Sequence, residues 1–350
     1  MSDALGCLTN THTDGKLRMQ AAVLLLQHNN TRAIFLEQQI FAEALEQGKL
    51  ECKSEMPFNR IKEFLSRRKV QALIGKYTQR LLLKDTVLEK YLKACRNEGR
   101  RPVVLFLNSI FAEIRLPAAS LNYLKQKYDA LFVLYYLDTT ERGVSVYANY
   151  LREKGVFDFI YTFDKSDAEK YGFAFWQTPY SAMNVNTGNQ IDLYFCGVDK
   201  DRSETINSIL REKELDCRMD LVQLEENQHY EDDRVSVCSI KEARLYSEVL
   251  ESTLQANCIL EIVRPGQIGF TLRAFEAVVY NKKLLTNNEN IKNFTFYNPE
   301  YMKVFRRVEE IDWDWVKDKA PVDYHYDGSF SPLRFIEEIE NRAWQMKESH

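Results

Sequence analysis

The chain has no C-x-x-C pair and no Cys/His spacing of the kind that holds zinc. Its seven cysteines (Cys7, Cys52, Cys95, Cys196, Cys217, Cys238 and Cys258) are scattered and odd in number, which reads as reduced thiols of a cytosolic protein. No run approaches the roughly 20 apolar residues of a membrane span, and MSDALGCLTNTHTDGK lacks the apolar core of a signal peptide. The expected location is therefore the cytoplasm, with the inner face of the membrane as the working place for any membrane-bound substrate. There is no excess of positive charge: 47 Lys and Arg stand against 51 Asp and Glu, a net charge of -4, which argues against a nucleic-acid partner. G-x-x-x-x-G-K-S/T is absent, so a P-loop engine is excluded, and no G-x-G-x-x-G follows a strand as a nicotinamide enzyme would require. G-x-S-x-G and isolated Ser/His/Asp sets are missing too, as are repeats of 20–50 residues.

What remains is ample material for packed cores: 45% hydrophobic residues, 28% charged, with 20 Phe and 19 Tyr over 350 residues. That length suits two domains better than one. AAVLLLQHNN (21–30) is a continuous apolar run of strand length, the pattern of a strand covered on both faces, and RAIFLEQQIFAEALEQG after it has helical spacing with Gly48 as its stop. RPVVLFLNS, ALFVLYYLDTT and FDFIYTF repeat the buried-strand pattern, with a helix from Pro117 to Tyr128 and a short helix capped by Asp164 whose charges suit solvent. Phe58 to Asn97 is helical and basic, either a solvated face or one drawn to anionic headgroups. WQTPYSAMNVNTGNQ (176–190) breaks the alternation and reads as a linker. A second series then starts with IDLYFCGVDKDR, where a strand runs into a Gly197 turn carrying Lys200 and Arg202. EENQHYEDDRV reads as an exposed loop, ARLYSEVLESTL as a helix, ANCILEIVRPG as a strand ending at Arg264, and KLLTNN and the NFTFYNPEYMKVF run as strands.

The expected fold class is therefore α/β, two Rossmann-like lobes facing a cleft, with C-terminal helices. The divisions are a flexible lead-in over 1–18, lobes over 19–180 and 190–320, and a C-terminal helical segment over 321–350. Ligand chemistry concentrates in GQIGFTLRAFEAVVYNKKLLTNNENI (266–291), a glycine-bearing turn feeding a helix start, with a basic exit at Lys282 and Lys283. Backbone N–H groups aimed at one spot from a turn and a helix start form an anion site. Gly269, Thr271 and Arg273 belong to it, and Arg202, Arg264 and Arg273 are expected to converge on a diphosphate, with Glu276 receiving ribose hydroxyls. In the first lobe, His28 and Asp138 are the titratable groups at strand ends, candidates to contact the transferred group or deprotonate an acceptor hydroxyl. The carboxylate pairs Glu225/Glu226, Asp232/Asp233 and Glu309/Glu310 lie in charged runs and read as solvated.

GFTLRAFEAVVYNKKLLTNN resembles the nucleotide-sugar-binding segment of GT-B glycosyltransferases: a Gly-Phe-Gly turn, a helix with a Leu-Glu-Ala triplet, and a strand start like Gly-Lys-Pro-Val-Ile. Gly269 and Phe270 match the turn, Phe275-Glu276-Ala277 the triplet, and the run from Asn281 to Leu285 the strand start. FDFIYTFDKSDAEKYGF, DLYFCGVDKDR, GQIGFTLRAFEA and NIKNFTFYNPEYM together resemble a bacterial family of lipopolysaccharide and capsule biosynthesis loci, over about Ala21 to Arg307. The resemblance implies a GT-B glycosyltransferase that needs no metal and no cofactor, since the nucleotide-sugar is a substrate. The implied partners are a nucleotide-sugar donor and a glycan or lipid-linked glycan acceptor, with peripheral membrane contact an option. By the same resemblance Glu276 is the ribose ligand and Arg202 the phosphate-binding cation. Ile268 stands where retaining enzymes carry a further glutamate, with Gln267 the nearest polar side chain, so retaining and inverting chemistry both stay open. Two other readings are a catalytically silent nucleotide-sugar-binding partner in a polysaccharide assembly and an epimerase with bound nicotinamide.

Overall fold

The computed structural model describes residues 21–28, 40–55, 70, 82–183, 188, 190–199, 202–223, 230–239, 242, 244–263 and 269–348. Two all-parallel sheets of six strands form the frame. The first holds β1 (Ala21–His28), β2 (Glu51–Glu55), β3 (Arg101–Leu107), β4 (Leu131–Tyr136), β5 (Phe159–Thr162) and β6 (Ala174–Phe175) in the order β2-β1-β3-β4-β5-β6. The second holds β7 (Ile191–Val198), β8 (Cys217–Gln223), β9 (Val235–Ser239), β10 (Ala256–Glu261), β11 (Lys283–Thr286) and β12 (Met302–Val304) in the order β12-β11-β10-β7-β8-β9. Two Rossmann-like lobes are what the apolar runs imply, because a strand covered on both faces needs hydrophobic residues at every position. β4 and β10 are buried at all six positions and β11 at all four.

The helices named below are α1 (Ala42–Glu46), α2 (Val87–Asn97), α3 (Ile110–Glu113), α4 (Ala118–Tyr128), α5 (Val146–Glu153), α6 (Lys165–Tyr171), α7 (Ser203–Ile209), α8 (Tyr246–Gln255), α9 (Leu272–Val279), α10 (Trp313–Lys317) and α11 (Pro332–Glu348). Gly48 follows α1 with φ of +65°, a left-handed conformation that costs a side-chain-bearing residue, so the helix stops where the sequence places its glycine. Asp164 caps α6, its side chain accepting from the Asp167 amide at 2.9 Å.

Several elements depart from the sequence reading. β2, β8 and β9 carry no long apolar run: β2 and β9 are sheet edges, where half-exposed positions admit Lys, Glu and Ser. Asp167, expected on a solvated face, is buried and accepts from both the amide (2.8 Å) and the hydroxyl (2.9 Å) of Thr140. In the tract expected as an exposed loop, residues 225–229 lie outside the described residues. The remainder is anchored, with Arg234 bonding Asp232 and the carbonyls of Leu210, Glu212 and Leu215 at the end of α7. Of the basic stretch 58–97, residues 58–69 and 71–81 lie outside the described residues.

The chain crosses between the sheets twice. After β6, Tyr180 and Ser181 are buried: the Ser181 hydroxyl donates to the Ile40 carbonyl at 2.8 Å, and the Tyr180 amide to the Phe330 carbonyl at 2.7 Å. The return crossing ends in α11, whose Phe335, Ile336, Ile339 and Ala343 join Val23, Leu25, Leu105 and Tyr135 in the core of the first sheet. The Phe335 ring lies 5.1 Å from both Tyr135 and Tyr161 and 5.4 Å from Trp176. The last helix thus packs on the lobe it left, and both crossings are pinned at the same junction. Truncating Phe335 to Ala removes a fully buried ring from this cluster. The expected loss is about 3–5 kcal/mol of unfolding free energy, read as a lower urea midpoint.

Candidate functional site

In a parallel sheet every carboxyl end lies on one edge, and a crevice opens there where the strand order reverses direction. In the second sheet the reversal falls between β7 and β10, since β8 and β9 go to one side of β7 and β10 to the other. Arg202 sits on that point. Its Nε donates to the Ile262 carbonyl just beyond β10 at 2.7 Å, its Nη1 donates to the Val198 carbonyl at the end of β7, and its guanidinium lies 5.9 Å from the Phe195 ring centroid. In the first sheet the reversal falls between β1 and β3, and His28 is the last residue of β1. The His28 side chain, Lys200 and Arg264 lie outside the described residues.

Gly197, expected in a turn, is within β7 and opposite Leu221 in β8. A Cβ there would lie 2.9 Å from the Phe195 ring, so glycine leaves space for the ring two residues earlier. Asp138 lies just beyond β4, at the carboxyl edge as expected but one strand away from the reversal. It is bound to Arg142 at 2.8 Å, its side chain 39% exposed.

The turn and helix start at 269–272 rest on a carboxylate that the sequence reading passed over. Glu261 ends β10 and is 2% exposed, and both the Thr271 and the Thr286 hydroxyls donate to it. Burial pushes its carboxyl above the ordinary range against the pull of the two hydroxyls. Thr271 also caps α9 by accepting from the Arg273 amide at 3.2 Å, and Thr286 accepts from the Asn288 amide at 2.9 Å. Asn288 donates to the Gly269 carbonyl at 3.3 Å, while Asn287 binds both the amide (2.6 Å) and the carbonyl (3.1 Å) of Val263. A carboxylate thus ties the ends of β10 and β11 to the turn. The visible signal is an acidic residue closing the apolar run Cys258–Leu260.

Arg273 and Glu276, three residues apart on α9, bind each other. Glu276 is 0% exposed; one carboxylate oxygen pairs with Arg273 and the other accepts from the Tyr246 hydroxyl at 2.7 Å. Tyr246 in turn shares a hydrogen bond of 2.9 Å with Tyr180 of the first crossing. Arg273 extends to the Cys196 carbonyl in β7 at 3.5 Å. Burial opposes its charge, but the Glu276 carboxylate outweighs burial and holds the guanidinium above its ordinary value. Glu276, expected as a ribose ligand, and Arg273, expected as a diphosphate ligand, are thus paired with each other in this structure. An i, i+3 pair on one helix face points inward here because α9 packs that face on the sheet. The basic exit is likewise internal: Lys282 donates to the Leu254 carbonyl at the end of α8 at 2.6 Å, and Lys283 to the Trp315 carbonyl at 2.8 Å.

A cavity of about 450 Å³ opens between the lobes beside this turn. Phe163, Lys165 and Phe175 line it from the first lobe, and Gly269, Phe270 and Asn293 from the second. A Cβ on Gly269 would stand 3.0 Å from the Phe163 ring, so glycine permits the turn to approach the opposite lobe. Among the described residues no group of three or more His, Cys, Asp or Glu side chains is arranged to hold a metal.

No family model and no curated protein matches the chain. Solved structures do overlay it along nearly its full length. An α-glucosyltransferase in complex with UDP and a 13-mer DNA containing a central A:G mismatch has a TM-score of 0.49 at 11% identity, over 93% of this chain and 100% of that one. T4 phage BGT in complex with its UDP-glucose substrate has a TM-score of 0.44 at 13% identity, over 94% and 97%. The glycotransferase of kitacinnamycin has a TM-score of 0.40 at 10% identity, over 94% and 99%. All three scores lie below 0.5, and no chemistry follows from them. They lend nothing to the expectation of no nucleic-acid partner, since the first protein was solved with DNA.

Two outcomes follow from the buried charges. Glu276→Ala leaves Arg273, whose side chain is 16% exposed, without its carboxylate partner, and the expected cost is roughly 2–3 kcal/mol in urea unfolding; an unchanged midpoint with weakened ligand affinity would make Glu276 a ligand. Burial pushes the Lys282 ammonium down to about 8. Below that value it is charged in both folded and unfolded chains. Between it and the unfolded value near about 10.4 the unfolded chain binds more protons, so the Lys282 contribution makes stability rise with pH across this window. Urea midpoints of the wild type relative to Lys282→Met should therefore climb from about pH 8 to about pH 10.

Proposed function

We propose that this protein is a glycosyltransferase of the two-lobed GT-B kind, moving a sugar from a nucleotide-sugar donor to a bacterial surface polysaccharide or a lipid-linked glycan. The observation that carries the reading is the meeting of three features on one edge. These are the β7/β10 reversal with Arg202 on it, the Gly269–Thr271 turn that opens α9, and the interlobe cavity against that turn. The resemblance of GFTLRAFEAVVYNKKLLTNN to a nucleotide-sugar-binding segment falls on the same edge.

In this reading the donor diphosphate lies over the carboxyl ends of β7 and β10. Arg202 and the first amides of α9 supply positive potential to the nucleoside diphosphate as it leaves with the bonding electron pair. The acceptor hydroxyl attacks the anomeric carbon from the first lobe and gives up its proton. We assign that base to His28, at the first sheet's own reversal, in preference to Asp138, which is paired with Arg142. Glu261 acts through Thr271, holding the α9 amides in position without touching substrate. No helix among the described residues is long and apolar enough to cross a membrane, and a lipid-linked acceptor would be met at the surface.

A thermal-shift panel of UDP-, GDP-, dTDP- and CMP-sugars tests the donor side. One class should raise the melting temperature, and Arg202→Gln should weaken that class by about tenfold or more. Release of nucleoside diphosphate with a glycan extract should accompany binding. A shift without turnover on any extract would make the protein a silent binding partner, and no shift with any nucleotide-sugar would remove the reading.

A further inference from the structure

We infer that the interlobe cavity beside the 269–270 turn is a saccharide subsite, built for an uncharged pyranose unit of the acceptor with Phe175 as its stacking platform. Phe175 is 38% exposed although it is a phenylalanine in a two-residue strand at the sheet edge, and its ring lines the cavity. Phe163 and Phe270 add two further rings from opposite lobes. A pyranose offers an apolar C–H face to such rings and a rim of hydroxyls that both donate and accept.

The remaining lining answers that rim. Gln177, Thr178, Ser166, Asn290 and Asn293 are amides and hydroxyls, able to donate and accept as sugar hydroxyls require. Asn293 uses its Nδ2 on Asn290 at 2.6 Å, and Gln177 uses its Nε2 on Thr295 at 2.8 Å, so their amide planes are held in place before any ligand arrives. The Gln177–Thr295 bond joins the first crossing to the second lobe, which ties the shape of the cavity to the way the lobes sit together.

Charge decides against other occupants. Asp164 and Lys165 are the charged side chains among the described lining residues, and their charges are opposite. Lys165 holds its Nζ 5.5 Å from the Phe175 ring centroid, and Asp164 is occupied in capping α6. A lining without net positive charge does not neutralise a phosphodiester backbone or an anionic headgroup, both of which need several cations. The volume of about 450 Å³ is within the range of small-ligand sites, roughly 300–1,000 Å³.

The use of this subsite rests on the glycosyltransferase reading, and its test is kept separate from the donor test. Wild-type protein and Phe175→Ala are applied to an array of neutral hexose oligosaccharides, acidic oligosaccharides, a 13-mer duplex DNA and vesicles of anionic phospholipid. The same samples are scored for the nucleotide-sugar thermal shift. Wild type should retain a set of neutral oligosaccharides, and Phe175→Ala should lose about tenfold in affinity for them. The inference falls if wild type holds no neutral oligosaccharide, if Phe175→Ala holds them equally well, or if DNA or vesicles are retained in their place. Neutral glycan retention that depends on Phe175, in the absence of any nucleotide-sugar shift, would keep the subsite and remove the donor reading.

Discussion

Parallel pairing is the constraint on which everything else here depends. It aligns every strand in the same direction, so all carboxyl ends of a sheet share an edge, and it forces a crossover after every strand. The crossovers bury both faces, which is why β4, β10 and β11 are apolar or fully covered at every position. The crevices such sheets offer are thereby confined to the edges. Each sheet contributes one reversal of strand order, at β1/β3 and at β7/β10, and the candidate residues that matter lie close to them.

The second lobe then uses buried polar chemistry to hold that edge in shape. Two carboxylates do most of this. Glu261 collects the hydroxyls of Thr271 and Thr286, joining two strand ends to the start of α9. Glu276 joins Arg273, and through it β7, to Tyr246 and then to Tyr180 of the first crossing. Both groups are satisfied from more than one side, and that is the condition for a buried polar group to be kept. The second network also connects the interior of the second lobe to the junction between lobes.

That junction is itself a packed object. α11 returns to the first sheet with Phe335 set among Tyr135, Tyr161 and Trp176, and the two crossings bond each other through Tyr180 and Phe330. The cavity beside Gly269 is bounded by both lobes, so its dimensions depend on this packing as much as on its own lining.

The sequence by itself determined the class of fold and where several of its strands and helices end. Continuous apolar runs leave only strands covered on both faces, Gly48 and Asp164 mark helix ends through local backbone chemistry, and the polar run at 286–288 marks a strand end. All of these are decided within a few residues. Only the tertiary structure decided where side chains point. Arg273 and Glu276 look like ligands in a linear motif, yet α9 packs that face inward and closes them into a pair. Glu261 looks like an interruption in a strand, yet it is the anchor of the turn. β9 was not legible because a half-exposed edge strand owes its state to neighbours rather than to propensity, and in β8 Arg218 and Asp220 interrupt the apolar run. The return of α11 to the first lobe was equally invisible, because an amphipathic helix records that it has a buried face and not which surface will cover it.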